Sequence, residues 1–267
     1  ALAVEHGLRA LDAARECGDR HGEALALNRL GSAIRGSDES ARAIDMLAES
    51  VRLSRSLPEP DAAFWPLNNL ASRWIDEADR LANLGRDTQP ALQAAWEQIC
   101  DARVIAQASG VKMQMAFVDA NLAGIHRRRG EFDEARRHFV AAIEIVQAEG
   151  ASGPEATFRL ALASLEVEAA PSVVRCVALE DALQNYRGAD PFLPLRARRV
   201  LARGWHALGD GERAYRHLDT LLTETLADAG RRADVQWRLV DTREELARER
   251  HVADIARLEL ELQRARA

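Results

Sequence analysis

NLAGIHRRRGEFDEARRHFVAAI, residues 121–143, reads as two helices joined by a turn. Leu122 opens an apolar register, Gly130 follows eight residues later, and Ala135 five after that. Phe139 and Ala142 then recur at helical spacing. Arginine clusters flank Glu131, Asp133 and Glu134, which raises the question of nucleic-acid binding. The charge balance answers it. The 267 residues hold 42 acidic and 36 basic side chains, a net charge of −6, whereas a nucleic-acid reader shows a basic balance. The stretch is read instead as the turn of a helical hairpin with alternating charges on solvated faces.

The same offsets return elsewhere. RLGSAIRGSDESARAIDMLAES (29–50) has Leu30, Asp38, Ala43, Leu47 and Ser50. VLARGWHALGDGERAYRHLDTLL (200–222) has Leu201, Gly209, Ala214, Leu218 and Leu221. At the N-terminus, Ala3, Gly7 and Ala10 supply half a unit. The equivalent small residue falls at Ala3, Ala43, Ala95, Ala135, about Val174, and Ala214, in steps of 40, 52, 40, 39 and 40 residues. A period of this size with helical spacing on both sides of a turn means stacked helical hairpins. A small residue in each second helix lets the first helix approach closely, and Gly130 and Gly209 stand where the chain reverses.

These residues resemble the tetratricopeptide repeat (TPR) family: Leu30-Gly31…Ala43…Leu47, Leu122-Ala123…Gly130…Ala135…Phe139…Ala142 and Leu201-Ala202…Gly209…Ala214…Leu218. The resemblance covers roughly residues 1–230. The first-helix tryptophan of the family is missing, and the pitch is longer than the family's ~34 residues. Longer helices of this kind look like the TPR variants of bacterial regulators. The expected fold is all-α: a TPR-like right-handed superhelix of about five helical hairpins in residues 1–231, opening with half a repeat. A long C-terminal helix over 232–267 is expected to cap the array and link it to an output domain beyond the sequence.

Helix starts follow from caps. Ser152 to Glu155 reads as a capping box with Pro154 in the first turn. Asp190-Pro191 reads as a cap followed by proline at the first helical position. Asp87 or Thr88 caps the helix carrying Pro90, and Pro66 starts its helix or kinks one begun near Asp61. The 52-residue step is irregular. Leu70 to Gly85 spans fifteen residues where its equivalents span eight. Seven extra residues are two turns and keep a helix face nearly in phase. Trp74, Ala78, Leu81 and Leu84 continue the apolar stripe, so this first helix is expected to project beyond its neighbours. Trp74 and Leu81 are therefore candidate contacts for a partner or a second protomer.

No catalytic constellation emerges, and the fragment is read as non-enzymatic, with no cofactor and no metal. The seven histidines show no metal-ligand spacing. His6, His138 and His217 recur at one repeat position, which argues for packing or a hydrogen bond. There is no phosphate-binding glycine loop. Three cysteines without a CxxC pair fit a reducing cytosol, so the expected location is cytoplasmic. No apolar run reaches membrane length. The expected partner is a protein or peptide, with a homodimer also expected, and neither nucleic acid nor membrane. Lys112 alone among 36 basic residues is lysine, a skew that fits a GC-rich bacterial genome.

In arrays that resemble this one, first helices line a concave groove. Counting from the repeat leucine gives groove candidates Asn28, Arg29, Ser32 and Arg35, then Asn68, Asn69 and Ser72. Asn121, Gly124 and Arg127 follow, and then Arg199, Val200, Arg203 and His206, with Arg159 joining from the weaker repeat. Asparagine donates and accepts, which suits a peptide main chain, and the resemblance implies that use. Arginine offers a planar fork for carboxylates, so an acidic peptide or a small anionic ligand fits. The alternative is that these side chains only solvate the groove and bridge neighbouring helices. Beyond Ala233, Ile255, Leu258 and Leu262 follow a short 3-4 seam that suggests a coiled-coil dimer contact. A charged helix after such an array is similar to the region before a GGDEF diguanylate cyclase domain. The expected function is thus a regulatory or sensory module of a bacterial signalling protein. A passive interaction scaffold, or the TPR segment of a transcriptional activator, is the alternative.

Overall fold

A computed structural model describes residues 2–34, 40–188, 190–227 and 229. Ten helices follow in order: α1 (Leu2–Cys17), α2 (Arg20–Ala33), α3 (Ser40–Ser54), α4 (Phe64–Asn83), α5 (Gln89–Ser109), α6 (Lys112–Arg128), α7 (Phe132–Ala148), α8 (Ser152–Ala169), α9 (Val173–Gln184) and α10 (Leu193–Ala207). Residues 211–227 are helical as well, here α11. No strand occurs among the described residues. The helices pair as α2/α3, α4/α5, α6/α7, α8/α9 and α10/α11, with α1 packed on α2 as the opening half unit.

The turn of the opening stretch shows why the pairs form. Gly130 takes φ +78°, a left-handed conformation that costs a residue with a Cβ about 1–2 kcal/mol. The Glu131 amide reaches back to the His126 carbonyl at 2.9 Å, and α7 starts at once. Gly209 does the same between α10 and α11 at φ +81°. The interior small residues lie where the period puts them: Ala43, Ala95, Ala135 and Ala214 are all buried. The weak repeat needs a correction. Val174 is 78% exposed, and Cys176, two residues on, takes the buried place at 0%. The helix begins at Ser172, whose hydroxyl accepts from the Arg175 amide, so the register slips by half a turn.

Two caps also differ. Ala151 is the N-cap of α8 and no side chain bonds there, so Ser152 is already helical and the capping box does not form. Asp190 accepts from the Phe192 amide at 2.9 Å, a turn before the helix, and α10 begins two residues later than expected with Pro194 in its first turn. Pro66 lies in the first turn of α4, where its missing amide costs nothing.

Successive first helices touch (α2 with α4, α4 with α6, α8 with α10), and each second helix packs on the next first helix. The first helices therefore make an inner wall and the second helices an outer one. Apolar clusters run the length of the array between the walls, the largest joining Leu47, Phe64, Leu67, Ile99 and Ile125. The extra residues of the irregular repeat lengthen both its helices. α4 has 20 residues and α5 has 21, against 14 for α2 and 17 for α6. Residues 232–267, including Ile255, Leu258 and Leu262, lie outside the described residues. No helix among the described residues is long and apolar enough to cross a membrane.

Candidate functional site

Helical spacing puts Trp65, Asn69, Ser72, Asp76, Asp79 and Asn83 on one stripe of α4. Phe117, Asn121, Gly124 and Arg128 form the matching stripe of α6. The inner wall is thus tiered. Its upper tier is apolar: Leu25 and Trp65 are each 43% exposed, and the Trp65 ring meets Phe117 edge-on at 5.2 Å.

The middle tier is asparagine. Asn69 Nδ2 donates to Asn28 Oδ1 at 3.0 Å, joining α2 to α4. Asn121 Nδ2 donates to Asn68 Oδ1 at 2.8 Å and to the Asn68 carbonyl at 3.3 Å, joining α4 to α6. Asn28 and Asn68 are buried. The amides expected to face a ligand thus bridge neighbouring first helices, and each such bond contributes about 1 kcal/mol. Arg29 stands exposed beside them.

The lower tier is ionic and opens into a cleft of about 660 Å³ between α4, α6, α8, α10 and α11. Arg127 holds Glu168 of α8 through two bonds of 2.6 Å. Arg128 donates from Nε to Asp79 at 2.8 Å, again from Nη2, and from Nη1 to the Gly124 carbonyl. Arg73, buried, donates to the Gly31 and Ile34 carbonyls at 3.0 and 2.9 Å, satisfying the exposed end of α2. Arg80 pairs with Glu77 one turn back at 2.8 Å, and Ser40 donates to the same carboxylate at 2.7 Å.

Two contacts cross the cleft. Arg196 of α10 donates to Asp76 of α4 at 2.6 Å, and Arg199 to the Asn83 amide oxygen at 3.1 Å. Burial pushes the Asp79 carboxyl up, but the charges and bonds of Arg128 and the charges of Arg196 and Arg127 outweigh it and hold it below its ordinary value. Burial likewise pulls the Arg196 guanidinium down, and Asp76 with Asp79 more than restores it. One turn beyond Arg199, Arg203 makes no ion pair or hydrogen bond among the described residues. Arg199 and Arg203 are therefore neighbouring cations on the cleft wall without a carboxylate among the described residues.

The structure brings Arg127, Arg199 and Arg203 into one cleft. Val200 also edges it but is mostly turned into the core, at 6% exposed. His206 is exposed outside the lining, Arg159 pairs with Glu155 on its own helix, and Arg35 lies outside the described residues. Trp74 and Leu81 are half-buried against Ala78 and against Ala91 and Leu92 of α5, so the expected projecting stripe packs on the chain's own lengthened second helix. His138 bonds Asp119 at 2.9 Å and His217 bonds Glu180 at 3.0 Å, while His6 is exposed. Asp76, Asp79, Asn83 and Arg196 are the cleft residues that sequence reading missed. Their signal was present, since the first three repeat at helical spacing from the end of the regular repeat into the inserted turns.

No family model matches the chain, and no curated protein matches it in sequence. Solved structures do. The crystal structure of BtubC (BKLC) from P. vanneervenii is similar at a TM-score of 0.56 and 20% identity, over 85% of this chain and 91% of that one. A putative kinesin light chain with nearly identical TPR-like repeats from Podosopora anserina follows at 0.45 and 15%, over 80% and 95%. These likenesses concern the fold. With the paired helices above, the first of them makes the chain an all-α, TPR-like superhelix.

Proposed function

We propose that this chain is a non-catalytic protein-interaction module whose cleft takes an acidic peptide segment. The supporting observation is the pair Arg199 and Arg203, one turn apart on α10, in a cleft whose carboxylates are already engaged by other arginines. Two parallel guanidinium forks recognise carboxylates with geometry as well as charge. A local surplus of arginine in a chain of net −6 also selects an anionic partner against a cationic one. Asn28, Asn69 and Asn121, whose amide nitrogens or oxygens are spent between helices, set the wall's geometry and contribute remaining lone pairs to a main chain; Arg29 adds charge at the far end.

A fluorescein-labelled decaglutamate peptide tests this by anisotropy at low ionic strength. Binding should weaken about tenfold, the loss of ~1.4 kcal/mol, when Arg199 and Arg203 are both alanine. A labelled decalysine peptide should not bind. Equal binding by the wild type and the double variant would remove the cleft from the reading.

The wider context belongs to the same proposal. The array serves as the regulatory part of a signalling protein and passes its state through 232–267 to an output domain such as a diguanylate cyclase, as a dimer through Ile255, Leu258 and Leu262. The support for this is the charged 3-4 pattern of those residues. Inserting three residues near Arg250 rotates a helix out of phase, and unchanged output of the full-length protein would reduce the module to a passive scaffold.

A further inference from the structure

In a stack of hairpins each unit meets only its neighbours. Here α4, from the second hairpin, reaches α10 in the fifth: Asp76 and Arg196 are 120 positions apart, Asn83 and Arg199 116. Asn83 sits in the two turns that lengthen this helix beyond α6, and Asp76 stands just before them, level in the repeat with Arg128 at the end of α6. The opposite face of those turns is fixed, because Trp74 and Leu81 pack on Ala78 and on Ala91 and Leu92 of α5. The tip of α4 is thus held from behind and presents an acidic edge to the arginine wall.

That edge has the chemistry of the ligand argued above. A carboxylate on Arg196 is what an acidic segment would offer. The amide oxygen on Arg199 is a neutral stand-in for one. We propose that the C-terminal turns of α4 are a built-in competitor for the cleft, so that an acidic partner binds by displacing Asp76 and Asn83 from α10. This rests on the cleft being an acidic-peptide site. The exchange has an order. At Arg203 a partner meets no resident group, and at Arg199 its carboxylate replaces a neutral amide, which is favourable. At Arg196 one carboxylate replaces another, which is nearly even. Asp76 then keeps Arg73, 3.7 Å away on its own helix, and Asp79 keeps Arg128. Since α4 is anchored to α5, it is the α10/α11 hairpin that swings, and the inner wall widens.

The labelled decaglutamate is measured against four proteins: wild type, Asn83→Ala, Asp76→Asn, and the Arg199→Ala/Arg203→Ala pair. Asn83 is exposed, so Asn83→Ala keeps the test alive if Asp76→Asn, which strips a half-buried guanidinium of its partner, fails to fold. Circular dichroism checks each fold. The competitor predicts binding about threefold tighter for Asn83→Ala and about tenfold tighter for Asp76→Asn, with a larger radius of gyration by X-ray scattering in the absence of peptide. Asn83→Ala binding equal to or weaker than wild type, with the arginine pair still weakened, would overturn the competitor and leave the cleft reading standing. Binding indifferent to the arginine pair, or absent in all four, would overturn both.

Discussion

A Cβ added to Gly31 would lie 2.7 Å from the Leu47 Cγ and 3.0 Å from the Ala43 carbonyl oxygen. The second of these is backbone and cannot swing away. An alanine in an exposed helix interior gains roughly 1 kcal/mol over glycine. Here the overpacking term, about 1–3 kcal/mol, opposes that gain and exceeds it. Gly31→Ala should therefore lower the stability by about 1 kcal/mol, read as a shift of the urea midpoint at constant slope. A neutral or stabilised variant would mean that α2 and α3 are not held at this distance by the missing side chain. The Leu-Gly…Ala…Leu pattern that marks this approach was legible in the sequence, because close packing of two helices leaves few residue choices. Cys176 was not. It sits where the pattern breaks, and a sulfur two positions from the expected site carries no periodic signal. Asn28 and Asn68 are buried between helices, and an asparagine that bridges helices and one that holds a peptide look alike in sequence, so both readings stood there.

The two added turns of α4 were legible as a heptad, and a heptad keeps both faces of the helix in phase. Its apolar face read correctly as continuing toward Trp74 and Leu81. What covers that face was not legible, because α5 gained residues at its own start and the turn GRDTQP hid them as a loop. The two assignments differ in outcome. If Trp74 serves a partner, Trp74→Ala changes the mass in solution and hardly touches stability. As half of the α4–α5 contact, its loss should cost about 2–3 kcal/mol, below the full range for a core aromatic because the ring is only partly buried. Light scattering and a thermal melt on the same sample decide. A mass shift with an unchanged melting temperature would return Trp74 to the role of a partner contact.

At the scale of the whole array, the α4–α10 contact changes how the hairpins cooperate. A solenoid without it is a sum of units and neighbour interfaces, free to fray from either end. The weak link here is the fourth hairpin. Its α9 has 12 residues and buries only Cys176 and Leu179. The bridges Asp76–Arg196 and Asn83–Arg199 span that link directly, tying the fifth hairpin to the second. No sequence pattern announces such a bridge, since it depends on the accumulated curvature across the two intervening hairpins, and small rotations per unit sum to the final approach. Tryptophan positions make it measurable. In proteins carrying Trp205→Phe and Trp237→Phe but otherwise unchanged, the remaining Trp65, Trp74 and Trp96 lie in the second hairpin, so fluorescence reports that region, while far-ultraviolet circular dichroism weights every helix. In this background the two urea curves should coincide, the mark of one cooperative transition. With Asp76→Asn and Asn83→Ala together, the circular dichroism curve should start to fall about 0.5–1 M urea earlier, as the C-terminal hairpins unfold without the second. The fluorescence midpoint should barely move. Curves that stay superimposed in the double variant would show that the packing of α8 on α7 alone carries cooperativity across the array, and the bridge would then be a ligand device without a structural duty.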